Sequence, residues 1–167
     1  LNLRPDQNIL LLMPASRPQE LKYILPTFMV AARKLQQKYP SLVVYIPSCR
    51  KVYDERFKKA LRKYQVRGQV ISQEDNATLK PYIYSLTKIA LCKSGTVNME
   101  LALYGIPQIV GYRVSRVTAF IAKKILNFKV RFISPVNLLV NKLIIPEFVQ
   151  RDFDEKKIFY KACRILE

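Results

Sequence analysis

Short apolar runs of strand length recur along the chain, each followed by a helix-length amphipathic stretch. Asn8–Met13, Ser41–Ile46, Gln69–Ser72, Lys88–Cys92 and Pro107–Gly111 are such runs. Between them, Leu21, Ile24, Leu25, Phe28, Ala31, Ala32 and Leu35 repeat at helical spacing. Strands this short and this apolar are buried on both faces, and helices between them make the sheet parallel. The alternation therefore predicts an α/β fold: a Rossmann-like parallel sheet with helices on both faces.

Local signals set the remaining elements. Ser16 suits a helix N-cap, Pro18 the first turn, and Gln19 can close a capping box, so a helix is expected to run to about Lys38. Further helices are expected over Val52–Tyr64, 74–86 (interrupted by Pro81), Gly95–Leu103, Ser115–Phe128 and Asp154–Leu166. Residues 131–150 read as irregular, with a short helix after Pro135. Ligands of parallel sheets sit beyond the carboxyl ends of the strands. Two loops fall there, Pro14–Glu20 and Lys93–Thr96.

Composition narrows the chemistry. The 167 residues suffice for one domain with a real core. Lysine and arginine total 29 against 12 acidic residues, a net charge of +17. Such a surface attracts polyanions: nucleic acid, an anionic membrane or a phosphorylated substrate. The absence of histidine excludes histidine general bases, Ser-His-Asp triads and histidine metal sites. Cys49, Cys92 and Cys163 lack CxxC spacing, which argues against a disulfide framework or zinc site and for buried thiols in a reducing compartment. No apolar run reaches the roughly eighteen residues of a membrane span. The opening at Leu1 makes the chain read as an excerpt of a longer protein.

Several constellations invite chemistry. Ser94-Gly95-Thr96 joins a buried strand to a helix start, where backbone N–H groups attract phosphate. Glu100, one turn on from Thr96, is placed to accept hydrogen bonds from ribose hydroxyls. An ordinary strand–turn–helix with a surface glutamate fits the same residues. Arg17 at the first loop can offset charge on a leaving diphosphate, or simply decorate a capped helix. Tyr112-Arg113 offers an aromatic face and a cation at a third strand end. Asp152-Phe153-Asp154 has the spacing of a metal-binding DxD, but Asp154 fits the N-cap of the last helix, and no metal site is assigned. The basic residues of Val52–Tyr64 read as a solvated face. Those of Ser115–Arg131 fit either that or an amphipathic helix on a membrane surface. No nucleic-acid-binding motif accompanies the charge, so nucleic acid is not the expected partner.

Five segments, taken in order, resemble lipid-A-disaccharide synthase. The family's Pro-Gly-Ser-Arg-x-x-Glu appears as Pro14-Ala15-Ser16-Arg17-Pro18-Gln19-Glu20. Its Ser-Gly-Thr…Glu-Leu-Ala-Leu appears as Ser94-Gly95-Thr96-Val97-Asn98-Met99-Glu100-Leu101-Ala102-Leu103. Pro107 to Arg113, then Thr118-Ala119, matches its Pro-x-Val-Val-x-Tyr-Arg segment. Val136-Asn137-Leu138-Leu139 is similar to its Pro-Asn-Leu-Leu, and Ile145-Pro146-Glu147-Phe148-Val149-Gln150 to its Val-Pro-Glu-Leu-x-Gln. Ala15 replaces the usual glycine, and Pro135 is displaced relative to Asn137. The variant looks closer to cyanobacterial and plastid proteins than to enterobacterial ones.

The resemblance implies one half of a GT-B glycosyltransferase: the carboxyl-terminal nucleotide-sugar-binding domain, spanning 1–167. The acceptor groove and general base would belong to an amino-terminal domain outside this chain. It implies inverting transfer of diacylglucosamine from UDP to diacylglucosamine 1-phosphate, with no cofactor or catalytic metal. The implied place is the cytoplasmic face of the inner membrane, held peripherally to an anionic lipid surface, or a plastid equivalent. Ser94, Gly95, Thr96 and Glu100 are expected to hold diphosphate and ribose, with Ser16 beside them and Arg17 and Arg113 offsetting charge. Tyr112 and Asn137 are expected at the uridine or sugar. Glu147 and Gln150 are either donor contacts or structural residues. A glycosyltransferase with another lipid acceptor, a nucleic-acid-binding module and a membrane-docking module are the alternatives.

Overall fold

The structure, a computed structural model, describes residues 6–115 and 131–167. Its elements are β1 (Asn8–Met13), α1 (Pro18–Lys38), β2 (Leu42–Pro47), a 3₁₀ turn at Lys51–Tyr53 leading into α2 (Asp54–Lys63), β3 (Gly68–Ile71) and α3 (Gln73–Leu86). Then come β4 (Thr87–Lys93), α4 (Val97–Leu103), β5 (Gln108–Tyr112), α5 (Pro135–Val140), β6 (Glu147–Val149) and α6 (Glu155–Leu166). All the strand pairs are parallel, in the order β3-β2-β1-β4-β5-β6. The order reverses direction between β1 and β4, so the chain winds outward from that pair to both edges. The loops after these two strands leave toward opposite faces and open a crevice between them.

The strand residues divide between the two faces with period two. Leu10 and Leu12 of β1, Ile89 and Leu91 of β4, and Ile109 of β5 face a core built with α1, α2 and α6. Ile9 and Leu11, Ala90 and Cys92, and Val110 face a second core built with α3, α4 and α5. All ten are fully buried, which is why the runs read as continuously apolar.

Two glycines are required by close approach. A Cβ on Gly68 would collide with the Val44 carbonyl of β2. On Gly111 it would enter the Phe153 ring and lie 2.9 Å from Cζ of Phe28. These two rings pack edge to face, centroids 5.1 Å apart, and join α1 to the start of α6. Helix ends follow a common design. After α4, Ile106 N donates to Leu101 O and Gly105 N to Ala102 O, with Gly105 at φ +65°. After α2 the same pair of bonds forms with Gln65 at φ 53°. A non-glycine residue is strained there.

Several expectations need correction. The N-cap of α1 is Arg17, not Ser16, and no side chain caps it, so the capping box does not form. The helix expected from Val52 begins at Asp54, behind a 3₁₀ turn. The stretch expected to be irregular holds β6, an edge strand. Cys49 is exposed, whereas Cys92 and Cys163 are buried as expected, and burial pushes the Cys92 thiol up to about 12. Asp154 does cap α6, accepting from Lys156 N and Lys157 N, which holds its carboxyl below the usual range. Most of the basic helix expected over Ser115–Phe128 lies outside the described residues.

Replacing Gly111 with alanine leaves the new methyl no space beside two locked rings, and should cost about 1–3 kcal/mol in urea unfolding. Gln65→Gly relieves the left-handed strain and should raise stability by about 1 kcal/mol, seen as a higher melting temperature.

Candidate functional site

The carboxyl ends of β1, β4 and β5 lie side by side, with Met13 paired to Cys92 and Lys93 to Gly111. This is where the strand order reverses, and it collects Arg17, Glu20, Lys93 and Tyr112. The Arg17 side chain is 78% exposed. Glu20, in the first turn of α1, is buried, and its Oε1 sits 3.1 Å from Lys93 Nζ and 3.9 Å from Arg17 Nη1. Lys93 Nζ also lies over the Tyr112 ring, 5.9 Å from its centroid. Burial raises the Tyr112 phenol, the Glu20 charge adds to this, and Arg17 opposes it. The crevice therefore presents two cations and an aromatic face, tied together by one carboxylate. Glu20 was not among the sequence candidates, and Lys93 entered only as the first residue of the Lys93–Thr96 loop, with no role of its own. Glu20 closes the first quoted motif and Lys93 immediately precedes the second, but a glutamate in a helix's first turn reads as an N-terminal charge, and nothing local reveals its partner across the sheet.

The Ser94-Gly95-Thr96 loop rests on a buried polar network. Asn98, with no exposed surface, accepts from Gly95 N at 2.9 Å and donates to Lys93 O and to Gln108 Oε1. Gln108 Nε2 donates back to Asn98 O at 2.9 Å. These bonds fix the backbone between β4 and α4 from below. Gly95 has open space where a Cβ would stand and no positive φ, so this chain's own packing does not require a glycine there. Thr96 is exposed. Glu100 is half-exposed and paired with Lys80 of α3.

Other candidates hold the loop's surroundings. The Ser94 hydroxyl donates to Ile133 O. The Glu147 carboxylate accepts from Ile133 N, Ser134 N and Asn137 Nδ2 at 2.7–2.8 Å. Asn137 is fully buried; it donates also to Ile145 O and accepts from Ile144 N and Ile145 N. Both polar atoms of the Asn137 side chain, expected at the uridine or sugar, are engaged within the chain. Arg113 likewise donates to the carbonyls of Gln150 and Phe153 and stacks on the Phe153 ring at 5.2 Å. It clasps the turn after β6 instead of facing the crevice. Gln150, at φ 52°, accepts from Val114 N in the same clasp. Ser16 is exposed at the rim. Asp152 pairs with Lys157 at 2.6 Å.

A separate concavity of about 410 Å³ lies beside β3, lined by Lys51, Asp54, Ser72, Gln73, Glu74 and Ala77. Its two carboxylates disfavour a phosphorylated ligand, whereas the crevice at β1 and β4 carries exposed cationic groups.

Comparison with known proteins places this geometry. Residues 1–167 match the family described as lipid-A-disaccharide synthetase. Lipid-A-disaccharide synthase of Prochlorococcus marinus is 47% identical over the whole chain, that of Gloeothece citriformis 37% over 99%, and that of Vibrio vulnificus 32% over the whole chain. The higher identities are to the cyanobacterial proteins, as the sequence suggested. The chain spans 42–43% of the length of these relatives. Among solved structures, Escherichia coli ADP-heptose heptosyltransferase II superposes with a TM-score of 0.65 at 10% identity, over 99% of this chain and 48% of that one. The O-GlcNAc transferase of Thermobaculum terrenum gives 0.51 at 14% identity, over 96% and 28%. These likenesses show a fold shared with glycosyltransferases. With its full length matched and its sheet and motif loops in place, the chain belongs to the lipid-A-disaccharide synthetase family.

Proposed function

We propose that this chain is the nucleotide-sugar-binding domain of an inverting glycosyltransferase that passes diacylglucosamine from UDP to diacylglucosamine 1-phosphate. One observation carries the reading: the two motif loops, Pro14–Glu20 and Lys93–Thr96, meet at the point where the strand order reverses. Sheets of this order bind nucleotides there.

In this reading the donor diphosphate lies between Arg17 and the Gly95-Thr96 backbone, where the space over Gly95 admits a phosphate. The exposed Arg17 guanidinium offsets charge on the departing diphosphate as the glycosidic bond breaks. Glu100 exchanges its half-exposed partner Lys80 for the ribose hydroxyls. Tyr112 supplies an apolar face beside the donor. Asn98, Gln108, Ser94, Asn137 and Glu147 position these groups without touching the ligand. In this reading the acceptor groove and general base belong to a part of the protein outside this chain, which spans 43% of the length of its Prochlorococcus marinus relative.

The net charge of +17 supports work against an anionic lipid surface, where a lipid acceptor resides. No helix among the described residues is long and apolar enough to cross a membrane, which is compatible with peripheral attachment at the inner membrane's cytoplasmic face.

Calorimetric titration of the full-length protein with UDP tests the site. Arg17→Ala and Glu100→Ala should each weaken binding roughly tenfold, the loss of one charged hydrogen-bonding group. Unchanged affinity in both variants would remove the assignment.

A further inference from the structure

The Glu20 carboxylate is unusual among the described residues. Glu20 is the one aspartate or glutamate there that is buried as a whole residue, 8% exposed, in a chain rich in cations. Both cations near it, Lys93 and Arg17, approach the same oxygen, Oε1. Oε2 is buried and has no hydrogen-bond partner among the described residues. A buried charge kept for stability alone is favoured only when its remaining lone pairs are also satisfied. Glu20 is half-satisfied, and it sits at the crevice between the two motif loops.

Lys93 is equally informative. It is the last residue of β4, its side chain is 22% exposed, and its ammonium lies over the Tyr112 ring. Asn98, itself held by Gln108, donates to the Lys93 carbonyl and leaves the ammonium to choose an anion. Here that anion is a carboxylate oxygen shared with Arg17. A phosphate oxygen has the same charge and the same demand for two or more donors.

We propose that Lys93 is a second cationic contact for the donor's diphosphate, and that Glu20 is its stand-in anion, holding Lys93 and Arg17 together until the diphosphate arrives. This rests on the donor site proposed above and adds a residue and an exchange to it. On binding, the Lys93 ammonium leaves Glu20 for a phosphate oxygen, and no covalent bond changes. Glu20 then competes with the ligand, keeping the two cations ordered at some cost in affinity.

Calorimetry on the full-length protein distinguishes this, using UDP and, by displacement, uridine as a phosphate-free control. Lys93→Met keeps the apolar stem and removes the charge, and should weaken UDP roughly tenfold or more while uridine is unaffected. Lys93→Arg should retain most of the UDP affinity. Glu20→Gln should bind UDP several-fold more tightly, because the competing charge is gone. If Lys93→Met binds UDP like the wild type, or loses UDP and uridine alike, the proposal falls and the donor site stands. It falls too if Lys93→Arg loses as much as Lys93→Met, or if Glu20→Gln weakens UDP. A wild-type protein that binds no UDP overturns the donor site and this proposal together.

Discussion

The pairing of β1 with β4 at the centre of the sheet is the constraint on which the rest depends. Every residue from Ile9 to Leu12 is fully buried, so neither strand can slip without turning a whole face of aliphatic side chains out of its core. That pairing fixes the level at which both strands end. It also sets the reversal in strand order, and so the gap into which the following loops open. Arg17 and Lys93, far apart in sequence, come within reach of one carboxylate because these two strands are neighbours.

A division of labour follows across the sheet's carboxyl edge. Asn98 and Gln108 lock the turn after β4 from inside the core, and Ser94 ties it to the segment entering α5. Glu147 and Asn137 in turn hold that segment, with both side-chain polar atoms of Asn137 in use. Arg113 and Gln150 clasp the next turn along. Rigid polar scaffolding of this kind leaves a small set of groups exposed and positioned: Arg17, Gly95, Thr96 and, behind Glu20, Lys93. Preorganised groups at a crevice are what stabilisation of a leaving diphosphate requires.

The architecture was legible because each buried strand announces itself as an uninterrupted apolar run, and each helix as a stripe with a period near 3.6. Strand order was less legible, since nothing in Lys88–Cys92 says that it pairs with Asn8–Met13. The site was half legible. Motif order located both loops, but the roles of individual polar residues depend on partners distant in sequence. Nothing local to Asn137 shows that its side chain bonds Ile145 and Glu147, which follow it by eight and ten residues. Ser16 looked like a cap, yet the extended backbone of Arg17 takes that position next to Pro18. β6 escaped notice because an edge strand of three half-buried residues has no periodic pattern to read. Lys93 and Glu20 were visible as letters and invisible as a pair.

The central claim is that a nucleoside diphosphate occupies the crevice between the loops after β1 and β4. Hydrogen–deuterium exchange of the full-length protein, with and without saturating UDP, tests it most directly. The account predicts slowed exchange in the amides of residues 13–20 and 93–100, with little change along 51–77. Protection centred on 51–77, around the acidic concavity, or no protection in either loop, would contradict it.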